Sequence, residues 1–234
     1  MINLFFRSSF VLLFLLVSCT KDAPVPTNEK LDKGHEEWSR VTLTFTELET
    51  EQKQVLDFVS VEGTPTRQSN EPVAWQAGKN YFLELVYYNV KGERMNYEYV
   101  TAEMAPIHQH FFLLGKQDGG RFKRLKPEEM DKIVTYKYQD TDPETGYLNA
   151  GARLRQRSWD KTNPTAEDPV GLKGIFSVAK DAPTSAYDIR VTLAHFLSAN
   201  KLENGEVRKY NVLPYTNFFA SDINLILPVQ ITNQ

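Results

Sequence analysis

The sequence predicts an all-β protein, and in particular an antiparallel β-sandwich of the immunoglobulin-like type. Apolar and polar residues alternate with a period of two along much of the chain, as in Val41, Leu43 and Phe45, which are separated by threonines. The alternating runs are short, rich in aromatic and β-branched residues, and bounded by turn signals. Helical stretches are few. Short strands separated by turn signals are typical of a sandwich.

The predicted strands cover residues 41–45, 80–90, 94–100, 109–114, 133–138, 174–178, 187–197 and 223–231. Lys91-Gly92 is a turn signal, so we expect residues 94–100 to form the return strand of a hairpin. Asn204-Gly205 predicts a further turn. Residues 126–132 are expected to form a single helical turn, with Pro127 near its start.

Composition is that of an ordinary globular protein, with 41% hydrophobic and 24% charged residues. The folded body is expected over residues 35–234, either as one large β domain or as two tandem small sandwiches divided near residues 115–130. The net charge of −3 argues against a nucleic-acid partner, because phosphate binding requires clustered cations. We interpret the local cluster Arg153, Arg155 and Arg157 as a solvated strand face.

The first eighteen residues predict a signal peptide. Arg7 supplies a basic start, and residues 10–17 form an apolar run that is too short to span a bilayer. Ser18 and Cys19 end this run in a way that resembles the lipobox of bacterial lipoproteins. The resemblance implies cleavage before Cys19 and modification of that residue with acyl chains such as palmitate. The alternative is an ordinary secretory signal with a cysteine there by chance.

Residues 19–34 predict a flexible, lipidated tether, because they are polar and rich in proline. Two or more acyl chains anchor a protein stably, so the expected location is the outer membrane, held by lipid without crossing it. Lys21 and Asp22 resemble the surface-export signal of Bacteroidota lipoproteins, but only one acid follows the lysine. Cell-surface exposure is therefore favoured, with the periplasmic leaflet as the alternative.

Histidines are the candidate metal ligands. His108 and His110 are two residues apart and would share one face of a strand, and His195 shares a face with Val191 and Leu193. His35 and Glu36 offer further nitrogen and oxygen ligands at the end of the tether. Together these residues predict a transition-metal site for zinc, copper or iron. The alternative is one buried histidine, satisfied by hydrogen bonds, with the others at the surface.

A second, weaker pattern lies in residues 140–146. Asp140, Asp142 and Glu144 place oxygen ligands at alternate positions, as at the start of a calcium loop. The pattern lacks a glycine at the sixth position and a glutamate at the twelfth. An acidic turn between strands is therefore the favoured interpretation.

The sequence carries few features of an enzyme, so we expect a protein that is not an enzyme. The sequence contains no GxSxG, HExxH or phosphate-binding loop. Cys19 is the only cysteine, and its predicted lipidation leaves no thiol for catalysis or for a disulfide.

The order of several short motifs resembles a family of small Bacteroidota lipoproteins often encoded beside TonB-dependent outer-membrane receptors. The motifs are residues 41–45, 77–81, 108–112, 138–142, 170–172, 191–195 and 222–231. The resemblance implies an uptake accessory of such a receptor, and it carries over His195 and one histidine of the 108/110 pair. An insert between Gly146 and Val170, which contains Trp159, departs from the pattern.

The sequence therefore predicts an outer-membrane lipoprotein that binds a transition metal or a metal-bearing nutrient as accessory to a TonB-dependent transporter. Two alternatives stay open. One is a metal-free module that binds protein or glycan through aromatic loops, such as the insert around Trp159. The other is a purely structural partner of a receptor.

Overall fold

The fold was analysed in a computed structural model, which describes residues 38–197, 201–214 and 218–233. Strands dominate this part of the chain. In chain order they are β1 (Trp38–Glu47), β2 (Lys53–Val61), β3 (Thr64–Arg67), β4 (Val73–Gln76), β5 (Asn80–Asn89), β6 (His108–Asp118), β7 (Arg121–Arg124), β8 (Val134–Tyr138), β9 (Thr141–Asp142), β10 (Arg153–Leu154), β11 (Lys173–Val178), β12 (Ser185–Phe196), β13 (Leu202–Glu203), β14 (Glu206–Val207) and β15 (Phe219–Thr232).

Helical structure among the described residues is short. Helix α1 spans Pro127–Met130, with the proline in its first turn as the sequence predicts, and 3-10 helices span Asn96–Val100 and Leu148–Ala150. In the described ranges we find no helix with the length and apolar character needed to cross a membrane.

Two large sheets form the sandwich that the sequence predicts. One has six strands in the order β3-β2-β1-β5-β11-β8, and the other has five in the order β4-β15-β12-β6-β7. The pairings are antiparallel except for β4 with β15, which run parallel. Both sheets combine strands from before and after residues 115–130. The alternative of two tandem sandwiches is therefore wrong, because a split there would divide both sheets.

The core between the sheets is rich in aromatic side chains. Phe176 on β11 lies 5.0 Å from Trp75, 5.4 Å from Phe112 and 4.6 Å from Tyr136, measured between ring centroids. These rings come from both sheets, so a single core joins them. The alternation of Val41, Leu43 and Phe45 is explained by the same core, because these residues face it and the intervening threonines do not.

The prediction that residues 94–100 form the return strand of a hairpin is wrong. Only Arg94 bridges to Tyr88, and the chain then turns into the 3-10 helix Asn96–Val100. Asn96 supplies the physical reason, because its buried side chain takes over backbone partners of β5. Its Oδ1 accepts the N–H of Tyr87 at 2.8 Å, and its Nδ2 donates to the carbonyl of Leu85 at 2.8 Å.

A second, smaller apolar cluster covers the opposite face of the five-stranded sheet. It consists of Met104, Ile107, Phe111, Ala194, Phe196 and Phe219. The start of β6 is consequently buried on both faces, which explains why residues 108–115 are all buried. Any polar side chain in this segment must find its partners inside the protein.

Candidate metal centre

Strand pairing brings His108 and His195 together. They are register partners at one end of the β6–β12 ladder, and both are almost fully buried. Side chains of directly opposed residues project to the same face of a sheet. Here that face is the inner one, and the two ring centroids are 4.7 Å apart in an edge-on arrangement.

A bulge in β15 adds a carboxylate to the histidine pair. Ser221 and Ile223 pair with the consecutive residues Ala194 and Leu193, so Asp222 is the extra residue on the β15 side. Regular alternation with the inward-facing Ile223 would point Asp222 away from the core. The bulge instead turns its side chain toward the histidines.

The three side chains offer ligand atoms within 4.8 Å of one another. Asp222 Oδ2 lies 3.2 Å from His108 Nε2 and 3.6 Å from His195 Nδ1. Donors bound to one tetrahedral ion at about 2.1 Å are separated by roughly 3.4 Å. Both distances from Asp222 are thus close to those in a first coordination sphere, and we call His108, His195 and Asp222 the two-histidine–carboxylate group.

The protonation states of these side chains favour the binding of a cation. Burial works to raise the pKa of Asp222, but the close approach of the His108 and His195 imidazole rings outweighs this and lowers the pKa to about 2. Burial lowers the pKa of His108, against the opposing effect of Asp222. At neutral pH a buried neutral imidazole therefore faces a carboxylate that carries its full charge.

The tautomer of His108 is fixed by a backbone contact. His108 Nδ1 lies 2.9 Å from the carbonyl oxygen of Met104, which can only accept a hydrogen bond, so Nδ1 carries the proton. In the neutral ring Nε2 then presents a lone pair toward Asp222. Metal-binding histidines commonly donate their second nitrogen to a carbonyl in this way, because the contact orients the ring.

His110 does not join the group, and its inclusion in the predicted site is corrected. Its Nδ1 contacts the carbonyl of Val170 at 2.8 Å and its Nε2 contacts the hydroxyl of Tyr87 at 2.6 Å, so both nitrogens are used within the core. Gly171 has a φ of +89°, and a Cβ there would lie 2.7 Å from His110 Cβ. Burial lowers the pKa of His110 to about 4. His110 is thus a buried histidine satisfied by hydrogen bonds, as the alternative interpretation expected of one histidine, but His108 and His195 are buried as well and do not lie at the surface.

Asp140 holds a backbone turn instead of an ion. Its Oδ2 accepts the N–H groups of Val170 at 3.0 Å and Gly171 at 2.8 Å, and its Oδ1 accepts that of Leu172 at 2.8 Å. These donors satisfy a carboxylate that is otherwise buried. The turn at residues 170–172 also supplies the carbonyl that His110 contacts.

The other two acids of the weak calcium pattern are ion-paired elsewhere. Asp142 binds Arg153 at 2.8 Å, and Glu144 binds Arg94 at 2.6 Å. The backbone oxygens of the turn are taken by Lys173, whose Nζ donates to the carbonyls of Glu144 and Gly146. An ammonium group of the protein thus occupies the centre of the turn, and the favoured interpretation as an acidic turn agrees with this geometry.

The arginine cluster is solvated at only one of its three positions. Arg153 is exposed, whereas Arg157 is buried and donates to the carbonyl of Gly205 at 2.9 Å. Arg155 pairs with the buried Asp168 at 3.1 Å. The expectation of a solvated strand face is therefore wrong for two residues: Arg155 binds a carboxylate within the insert, and Arg157 links the insert to the turn at Gly205.

Several predicted residues lie elsewhere. Cys19, His35 and Glu36 fall outside the residues that the structure describes. Trp159 is partly buried against the main core, so it is not the exposed aromatic platform that the glycan-binding alternative used.

Sequence analysis missed Asp222. The sequence carries no sign of the bulge, and uniform alternation along β15 would point this residue away from the histidines. Comparisons with protein-family models, curated proteins and solved structures give no match to this chain.

Proposed function

We propose that this protein binds a divalent transition-metal ion through His108, His195 and Asp222. The observation that carries the proposal is the convergence of these three side chains, from three adjacent strands, to within 4.8 Å. Two imidazoles and one carboxylate form a donor set for zinc, copper or iron, whereas calcium and magnesium prefer oxygen ligands throughout.

The orientation of His108 supports a cation between the side chains. With its proton on Nδ1, neutral His108 places an Nε2 lone pair 3.2 Å from a carboxylate oxygen. Two acceptors at that distance repel each other unless a proton or a metal ion lies between them. Because burial disfavours protonation of His108, a metal ion is the favoured bridge.

Access to the proposed site is from the side of Asp222. The side chains of His108 and His195 are at most 1% exposed, whereas that of Asp222 is 31% exposed. The two imidazoles sit at the end of the core and the carboxylate stands between them and solvent. An ion that enters would meet the charged ligand first, and the buried imidazoles would then replace its remaining water.

The cellular role that we propose rests on the sequence. The lipobox-like run that ends at Cys19 supports a lipid anchor in the outer membrane, and the motif order supports an accessory of a TonB-dependent transporter. In this proposal the protein captures a metal ion or a metal-bearing nutrient and presents it to the transporter.

Zinc titration of the full chain tests the metal site. The protein is stripped with a chelator, freed of it, and titrated with Zn²⁺ and then with Cu²⁺ by calorimetry. We expect one ion per chain, and at least about tenfold weaker binding in His108→Ala and in His195→Ala, because each removes one of three ligands. Wild-type binding no tighter than that of a double variant, His108→Ala with His195→Ala, would overturn the proposal.

His110→Gln is the matched control. Residue 110 lies on the same strand and face as residue 108, but both of its ring nitrogens are used in the core. We expect its zinc affinity to equal that of the wild type, provided that circular dichroism shows the variant folded. A loss equal to that in His108→Ala would point to a nonspecific effect of altering this strand.

The anchor is tested separately. Radiolabelled palmitate should be incorporated into the wild type and not into Cys19→Ser, and the wild type should fractionate with the outer membrane. Label in Cys19→Ser, or a wild type without label, would contradict the anchor and leave the zinc result untouched.

A further inference from the structure

A groove lies on the outer face of the six-stranded sheet, remote from the two-histidine–carboxylate group. Its floor includes Thr44 and Thr46 of β1, Phe82 of β5 and Ile175 of β11, and one wall includes Tyr147 and Asn149. We call these six residues the outer-face groove. The volume is about 540 Å³, within the range of small-molecule sites in proteins.

The insert that follows Gly146 makes this face concave. One face of an antiparallel sheet is commonly solvated. Here the 3-10 helix Leu148–Ala150 and the preceding Tyr147 rise beside the sheet, and the β1–β2 turn rises opposite them. Residues 147–150, none of which is buried in the core, thus form one wall of the groove.

Tyr147 is fixed in place before any ligand arrives. Its hydroxyl donates to Glu84 at 2.8 Å, its ring centroid lies 6.2 Å from that of Phe82, and the ammonium of Lys173 lies 4.8 Å from its ring. Glu84 is itself held by Arg94 at 3.2 Å. A wall held by these contacts loses little conformational entropy when a ligand binds.

The charged groups around the groove are of both signs, and the buried ones are paired or hydrogen-bonded within the protein. Glu84 pairs with Arg94, and Lys173 donates to the carbonyls of Glu144 and Gly146. Glu51 and Lys53 at the rim are exposed and opposite in sign. No charge of one sign dominates, which disfavours a strongly charged ligand.

We propose that the outer-face groove binds a short neutral saccharide of one or two rings. Phe82 and Tyr147 supply apolar ring surface, and the threonine hydroxyls and the Asn149 amide supply donors and acceptors. A sugar ring has the complementary character, with an apolar C–H face and a rim of hydroxyls. The proposal is independent of the metal site, because none of the three proposed metal-binding residues lines the groove.

Saturation-transfer NMR tests the groove on the full chain, in a detergent without a sugar headgroup and with EDTA present. The probes are maltose, cellobiose, lactose and mannobiose, with glucosamine and glucuronic acid as charged comparisons. We expect transfer to at least one disaccharide and little to the charged sugars. Transfer to none of the four disaccharides, or to the charged sugars alone, would overturn the proposal.

Two variants test whether the disaccharide binds in the outer-face groove. Tyr147→Ala should weaken binding of the disaccharide about tenfold, since it removes the aromatic ring that would pack against the apolar face of the sugar. Thr46→Val removes one hydroxyl at nearly constant volume, and should weaken it several-fold without unfolding the chain. Tyr97→Ala, at an exposed tyrosine outside the groove, is the matched control. Wild-type affinity in both groove variants would refute the site.

Discussion

His195 lies directly opposite His108 in the β6–β12 ladder, at a centroid distance of 4.7 Å between their rings. The two residues are 87 positions apart in the sequence, and antiparallel pairing makes them neighbours. The bulge in β15 then brings Asp222 to 3.2 Å from His108 and 3.6 Å from His195. The candidate metal centre is therefore a product of strand register.

Asp222→Asn should weaken zinc binding at least about tenfold while leaving the fold intact. The amide has nearly the shape of the carboxylate, but it lacks the negative charge that favours a bound cation. Calorimetric titration with Zn²⁺ measures the change. Asp188→Asn, which alters a carboxylate on β12 outside the group, should bind zinc like the wild type. Equal affinities in the two variants would remove Asp222 from the site.

The stability of the metal-free protein should rise with pH between about 4 and 6.5, in part because of His110. Its folded pKa of about 4 lies below the unfolded value of about 6.5, so in this window the unfolded chain binds the proton and the folded chain does not. The contribution is present above pH 6.5 and lost as the pH falls toward 4, and it is of the order of 3 kcal/mol.

Urea denaturation in EDTA, repeated across this pH range, measures the effect. His110→Gln should show a shallower dependence than the wild type, because glutamine does not titrate. Since His108, His195 and Asp222 are present in both proteins, the difference isolates residue 110. Identical slopes would show that His110 is not buried as the structure places it.

Lys173→Met should destabilise the protein by about 2–3 kcal/mol, because it removes a buried ammonium that donates to several partly buried oxygens of the turn. The ammonium of Lys173 donates to the hydroxyl of Thr141 and to the carbonyls of Glu144 and Gly146. Chemical denaturation measures the loss. Lys137→Met, at an exposed lysine of β8, should change stability by less than about 0.5 kcal/mol. Equal stability of the two variants would contradict the contacts at the turn.

Phe176→Ala should cost about 3–5 kcal/mol, the range for removing a buried aromatic ring. Phe176 is fully buried and packs against rings of both sheets, including Trp75 and Phe112. Val90→Ala, at a residue that is 78% exposed, is the control and should have little effect. Thermal and urea unfolding compare the two. A small loss in Phe176→Ala would mean that the sheets do not share this core.

The sequence determined the all-β class, because period-two alternation follows from the pleat of a strand and can be recognised locally. It located β5, β6, β8, β11, β12 and β15, and it identified His108 and His195 as candidate ligands, since both lie on such runs. It also predicted the turn at Asn204-Gly205, where both residues have positive φ in the structure.

Tertiary structure alone decided which side chains meet. Strand order and register place His195 against His108, and Tyr87 and Val170 engage both nitrogens of His110 even though it shares a strand face with His108. The β15 bulge reverses the expected direction of Asp222. These relationships depend on pairings between residues distant in the chain, which local alternation does not encode.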